Sequence, residues 1–356
     1  MLNKNGILIL FCFIILATCS APTLAQESQL PEAPIYIDNQ PFETRYIMRD
    51  GHLLVPALFL KHTGVKISWN KQYRSVVFNH KDIQFALPVG RDYADVYGHA
   101  TGTWRRQSLS TKTIEFNGEA FVPLIDVVRK LGMDVAYQRE RGHTFITTNI
   151  PVAPSAIYRG DPAMKQVALT FDDGPDSYYT PRILDILNQK NVPATFFVMG
   201  QQIEEFPDMM RRIVREGHGI ANHTWNHPNI PTVMTSTLVD EIQSTQKEMM
   251  KTVGRMPDLF RPPYGALTKS DHIVLHEMGM RTIMWSVDTI DWSGQSAEEI
   301  LHIVRRDISP GGIILQHNFQ SDARFLDGTV EALPRMIDEL QAQGYEFVTV
   351  QTLLEK

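Results

Sequence analysis

Beyond residue 163 short apolar runs alternate with longer amphipathic ones, and this alternation limits the possible folds more than any other feature of the chain. Runs at 166–169, 194–198, 219–222, 259–261, 282–287, 312–316 and 346–348 read as strands. Between them, 180–190, 208–216, 235–253, 269–278, 296–307 and 329–343 read as helices, with Ser296 as an N-cap, and 350–354 as a last short helix. Strand–helix alternation of this kind builds a parallel sheet covered by helices. Seven strands predict a distorted (β/α) barrel, somewhat short of the usual complement.

In such a barrel the chemistry lies at the C-terminal ends of the strands. Polar clusters recur just there. They are Asp172-Asp173, His223-Thr224-Trp225-Asn226-His227, Arg261-Pro262-Pro263-Tyr264-Gly265, Asp288-Thr289-Ile290-Asp291-Trp292 and Leu315-Gln316-His317. Two adjacent carboxylates at a strand end that turns at Gly174-Pro175 can share one pocket, one holding a cation and the other accepting a proton. As a structural matter alone, Asp-Asp-Gly-Pro is also good turn chemistry. Two histidines four apart, His223 and His227, together with the carboxylate of Asp173 make a His₂Asp metal set that leaves positions open for water and substrate. His272 and His276 have the same spacing but sit mid-helix, away from any strand end, and read as structural, as does His218.

The five clusters together resemble the polysaccharide deacetylases, family-four carbohydrate esterases with a NodB-like domain. Thr-Phe-Asp-Asp-Gly-Pro, His-Thr-x-x-His, Arg-Pro-Pro-Tyr, Asp-x-x-Asp-Trp and Leu-x-His occur in that order over residues 163–356. The resemblance implies Asp172 as catalytic base and Asp173, His223 and His227 as ligands of a divalent metal, zinc first, with cobalt or another divalent ion as alternatives. It implies Arg261 as the group orienting Asp172, and the Tyr264 backbone N–H as an oxyanion donor. His317 would be the general acid, oriented by Asp288, with Trp292 and Leu315 walling the pocket for the acetyl methyl. Asn318 stands where Asp is common. Tyr264 stands where a muramic-acid-lactam subgroup tends to carry Arg, which points to N-acetylglucosamine units.

Residues 35–149 carry an internal repeat. Gly51-His52-Leu53-Leu54-Val55-Pro56 recurs 67 residues later as Gly118-Glu119-Ala120-Phe121-Val122-Pro123. Each copy runs into a short helix through its Pro, ends that helix at a Gly, and continues as an alternating strand. The pattern resembles the copper-amine-oxidase-like N-terminal (stalk) domain of secreted bacterial proteins, a name that implies no copper here. This small α+β module contains no cluster of ligand-type residues and reads as packing, with wall or glycan binding as the alternative.

Lys4 is the sole charge among the first 25 residues, 7–17 is an apolar run, and Thr23-Leu24-Ala25 offers a cleavage site. The expected organisation is therefore a signal peptide at 1–25, the repeat domain at 26–150, a Pro-bearing linker at 151–162 and the deacetylase domain at 163–356. Both cysteines, Cys12 and Cys19, fall in the leader, and Thr18 before Cys19 makes lipid anchoring a poor fit. A net charge of −6 argues against a partner gripped by its phosphates, so nucleic acid is not expected. The reading as a whole is a secreted, monomeric, metal-dependent amidase that removes acetate from N-acetylglucosamine in peptidoglycan or a chitin-like polymer, with possible wall association through the repeat domain. The alternatives are an O-acetyl esterase of the xylan type and a non-catalytic wall-binding protein.

Overall fold

The computed structural model describes residues 30–151, 156–321 and 324–355. The expected leader, with both cysteines, lies outside them.

The repeat is visible as strand pairing. His52–Pro56 and Glu119–Pro123 lie antiparallel with Val55 opposite Val122, so the two copies meet at the centre of one sheet. The first copy continues into a 3₁₀ helix, Ala57–Thr63, closed by left-handed Gly64. The second continues into an α-helix, Leu124–Lys130. Between the copies the chain forms a meander, Lys66–Asn70, Ser75–His80, Ile83–Pro88, Tyr93–Gly98 and Thr103–Ser108, of which the last three strands were not anticipated from the sequence. Alternate residues Ile67, Val76, Phe78, Phe85 and Leu87 face one apolar core, so the domain is richer in strand than expected.

In the second domain Gln166–Asp172 is the central strand. It pairs in parallel with Thr195–Val198 on one side and Gly312–His317 on the other, and at its start with Glu346–Phe347. Being buried on both faces, it reads as the near-continuous run Val167-Ala168-Leu169-Thr170-Phe171. Outward lie Gly219–Asn222 and Leu259–Phe260. The run read as one strand at 282–287 is two short ones. Arg281–Thr282 pairs with Leu259–Phe260, and Val287–Asp288 pairs with Gly312–His317. One segment thus joins both edges of the sheet, which is how a short barrel closes.

The closure has a seam. Ile157 N donates to Thr282 O at 2.8 Å, Met284 N donates to Ile157 O at 2.7 Å, and Gly160 N donates to Gly311 O at 2.8 Å. Residues read as linker therefore act as barrel backbone at the gap beside the split strand. Helices Tyr179–Lys190, Ala297–Asp307 and Asp327–Ala342 bury Leu184, Leu187, Ile300, Leu333 and Ile337 against the sheet. Ser296 makes the expected cap, as a full capping box with Glu299.

The two domains are packed together. Met234 and Ile273 of the second lie against the apolar core of the first. Left-handed Gly64 sits so close to the second domain that a Cβ there would be 3.3 Å from Ile273.

Ile157→Pro removes the seam donor and leaves a carbonyl without its partner. It is expected to cost roughly 1–3 kcal/mol, measured as a fall in the urea midpoint; an unchanged midpoint would show that the seam does not stabilise the barrel.

Candidate active site

The five clusters converge on one cavity of about 550 Å³, lined by Asp172, Asp173, His223, His227, Tyr264, Asp288, Trp292, Leu315 and His317. Arg261 lies beneath, fully buried. The position of each group follows from a strand end.

Asp172 closes the central strand, and Asp173 follows it in a left-handed conformation with φ of 78°. That reversal is why the two carboxylates are not presented to opposite faces as strand neighbours would be. Asp172 Oδ1 accepts from Arg261 Nη1 at 2.7 Å, and its Oδ2 lies 3.9 Å from His223 Nε2. Arg261 also donates to Thr170 Oγ1 at 2.9 Å, Met284 O at 3.0 Å and Ile283 O at 3.3 Å, and its guanidinium lies over the Phe197 ring at 3.9 Å. A buried cation so fully partnered has one position and holds Asp172 in one position.

The turn after Asp173 is held from the end of the strand Gly312–His317. Asn318 N donates to Asp172 O at 3.0 Å, and Asn318 Oδ1 accepts from Gly174 N at 3.1 Å. A Cβ at residue 174 would come within 2.2 Å of the Asn318 amide, so this position requires glycine. Asn318, a departure from the usual Asp, is thus a built part of the turn.

Asp173 Oδ1 lies 3.2 Å from His223 Nε2 and 3.3 Å from His227 Nε2. It is buried and receives no hydrogen bond. Metal bonds of about 2.0–2.1 Å at the tetrahedral angle place ligand atoms roughly 3.3–3.4 Å apart. The three atoms therefore have the spacing of a metal site. His223 Nδ1 donates to Arg261 O at 2.8 Å, which leaves the Nε2 lone pair facing Asp173. Burial, and then the neighbouring His223, push the His227 imidazole down to about 4, so it is neutral near pH 7. Burial would raise the Asp173 carboxyl, but contact with His223 and the charges of His317, His223 and His227 hold it at about 2. A carboxylate with two imidazoles is a donor set for zinc or a similar divalent ion. His272 and His276 join no such group, and among the described residues Asp173, His223 and His227 are the only cluster with ligand spacing. His218, as read, is structural: its Nδ1 accepts from Ala194 N at 3.2 Å.

One expected role moves. Asp288 does not orient His317. His317 Nδ1 bonds Asp291 Oδ1 at 2.7 Å, and His317 N donates to Asp291 Oδ2 at 2.9 Å. Thr329, on the helix Asp327–Ala342, donates to the same Oδ2 at 2.8 Å. Asp288 Oδ1 instead accepts from Ile290 N at 2.9 Å. It thereby braces the turn at left-handed Ile290 that swings Asp291 inward, where it is 1% exposed. Asp288 lines the cavity and shapes the loop, and Asp291 is the residue that the sequence reading missed. Burial opposes a charged His317, but Asp291, followed by Asp173 and Asp172, outweighs it and pushes the imidazole up to about 10.

Left-handed, non-glycine backbone recurs around the cavity at Asp173, Thr224, His227, Tyr264 and Ile290. Each such residue costs of order 1–3 kcal/mol and persists because its surroundings over-determine it, as they do at sites that need fixed geometry.

Two family models match the chain: Polysaccharide deacetylase over residues 159–283 and Copper amine oxidase N-terminal domain over residues 33–146. A peptidoglycan-N-acetylglucosamine deacetylase of Bacillus cereus is 42% identical over 190 residues, spanning 53% of this chain and 68% of the relative. The chain belongs to the polysaccharide deacetylase family. It spans 44% of a Listeria monocytogenes peptidoglycan-N-acetylglucosamine deacetylase, 36% identical over 220 residues. A crystal structure of a peptidoglycan N-acetylglucosamine deacetylase superposes with a TM-score of 0.55 at 40% identity, covering 56% of this chain and 92% of that one. A Bacillus anthracis protein described as a CE4 family pseudoenzyme matches with a TM-score of 0.53 at 32% identity, covering 62% of this chain and 77% of that one.

Asp291→Asn removes the charge that holds His317 protonated. Its imidazole is expected to titrate well below the value of about 10, read by NMR of the ring, whereas Asp288→Asn keeps its acceptor for Ile290 N and leaves that titration in place. The reverse ranking would restore Asp288 as the partner.

Proposed function

We propose that this polysaccharide deacetylase removes N-acetyl groups from N-acetylglucosamine units of peptidoglycan, with a divalent cation, zinc first, held by Asp173, His223 and His227. The observation that carries the reading is the division of labour between adjacent carboxylates. Asp172 is tied to Arg261 at 2.7 Å, and Asp173 lies between two imidazole nitrogens at metal-ligand spacing. When bound, the cation supplies a Lewis acid for the acetyl carbonyl and an acidified water.

The chain's own groups do the rest. Asp172 Oδ2 is left free by the Arg261 contact and takes the proton of the attacking water. The turn at 262–266 makes its internal bonds from Gly265 N and Ala266 N, and among the described residues Tyr264 N donates to no backbone group, which suits it to an oxyanion. His317, kept protonated by Asp291, lines the same cavity and protonates the departing amine. Trp292 and Leu315 line the pocket and exclude water from the acetyl methyl. Tyr264, 69% exposed, flanks His227 at 4.7 Å between ring centroids and supplies a stacking face for a sugar.

The relatives named for peptidoglycan support the polymer, and the absence of an Arg at position 264 supports N-acetylglucosamine over a muramic lactam. The leader-like sequence at 1–25 supports export, and no helix among the described residues is long and apolar enough to cross a membrane.

Acetate release from peptidoglycan and from N-acetylglucosamine oligomers, before and after chelation and after zinc is restored, tests the reading. Release that chelator abolishes and zinc restores is expected. Release from acetylated xylan but not from either N-acetylated substrate would replace the amidase by an O-acetyl esterase, and no release from any substrate would favour a wall-binding protein.

A further inference from the structure

Lys61 belongs to the N-terminal domain, yet its ammonium reaches into the second. Its side chain is 0% exposed. Nζ donates to Ile230 O at 2.7 Å and to Val233 O at 2.9 Å, and lies 2.8 Å from Asp271 Oδ1. Asp271 Oδ1 faces Lys61 as its buried counter-charge, while Oδ2 caps the helix Lys269–Glu277 with Thr268.

The two carbonyls belong to the segment that follows His227. After His227 the chain runs through the 3₁₀ turn Ile230–Thr232 and enters the long helix Thr235–Val253. On the upstream side the loop is fastened from within its own domain: Glu241 Oε2 accepts from Trp225 N and Asn226 N, both at 2.8 Å, and Thr224 Oγ1 accepts from His227 N at 3.1 Å. On the downstream side the turn closes on itself, with Thr232 N donating to Asn229 O at 2.9 Å, and polar fastening from outside the turn comes from the other domain. Lys61 holds residues 230 and 233, and Ile67 N donates to Thr235 Oγ1 at 3.0 Å. His227 itself is left-handed, with φ of 59°, a conformation that relaxes unless both flanks are held.

A buried ammonium is costly to desolvate, and replacing it with an apolar side chain strands the groups it served. Two carbonyls and a carboxylate would be left buried here. A tether between a binding module and an enzyme needs no such contact.

We propose that Lys61 is a positioning residue for the metal site: by fixing residues 230–233 it fixes His227, so the N-terminal domain is part of the catalytic unit and not a separate module on a linker. This rests on the reading of Asp173, His223 and His227 as metal ligands. Other contacts across the same interface, such as Lys269 Nζ to Asp38 Oδ2 and Thr148 Oγ1, both at 2.9 Å, approach the helix Lys269–Glu277 and not the His227 segment. They supply the control.

The test is metal affinity of the full chain, by competitive Zn²⁺ titration and by the visible spectrum of the Co²⁺-loaded protein. Lys61→Met is compared with Lys269→Ala and wild type. A double variant, Lys61→Met with Asp271→Asn, leaves no unpaired buried charge and stands in if the single variant does not fold. Expected are a loss of Zn²⁺ affinity of roughly tenfold, as for groups that orient metal ligands from behind, and a changed Co²⁺ spectrum in the folded Lys61 variant, with Lys269→Ala like wild type. Wild-type affinity and spectrum in a folded Lys61 variant, or equal losses in Lys61→Met and Lys269→Ala, would overturn the proposal. A wild-type chain that binds neither ion would instead overturn the metal-site reading beneath it.

Discussion

Two carboxylates adjacent in sequence and turned into the same cavity repel each other unless positive charge is placed against each. Everything around Asp172 and Asp173 answers that constraint, and answers it differently for the two. Arg261 is fully buried and meets Asp172 at one oxygen, with three further hydrogen bonds to Thr170, Ile283 and Met284. Among the described residues no Arg or Lys pairs with Asp173. It faces two imidazole nitrogens, and His223 is turned toward it because its other nitrogen is engaged by Arg261 O. Arg261 thus serves both halves, through its guanidinium on one carboxylate and its carbonyl on the partner of the other. An Arg there is not interchangeable with Lys, whose single ammonium could not meet these acceptors together.

The barrel exists to bring these pieces to one rim. The strand carrying Asp172 lies between the strands that end near His223 and at His317, and the segment that joins the two sheet edges carries Met284 and Asp288. Short strands and a seam borrowed from residues 157–160 make a small barrel whose rim bends sharply. Left-handed residues at Asp173, Thr224, His227, Tyr264 and Ile290 are where the bending is concentrated. The packed domain interface, with Lys61 inside it, extends that over-determination beyond the barrel.

Most of the site was legible because its signals are local. A carboxylate pair after an apolar run, two His four apart after another, and Arg-Pro-Pro-Tyr after a third are visible without knowing what packs where. Asp291 was not legible. Asp288 and Asp291 are three apart at one strand end, and only the left-handed turn at Ile290, braced by Asp288, decides which of them reaches His317. The break of 281–288 into two strands was hidden for a related reason. Its apolar continuity describes burial, while the change of partner from Leu259–Phe260 to Gly312–His317 is set by closure of the whole sheet. In the N-terminal domain the repeat pointed to the paired strands, but the strands at 83–108 lie between the copies and carry no repeat signal.

The most direct test of this charge division is X-ray diffraction at the zinc absorption edge from crystals of the full chain grown with zinc. One anomalous peak is expected, bonded by Asp173 Oδ1, His223 Nε2 and His227 Nε2, with Asp172 unligated and still paired to Arg261. A peak bonded by Asp172 in place of Asp173, or well-ordered density for all three residues with no peak between them, would contradict it.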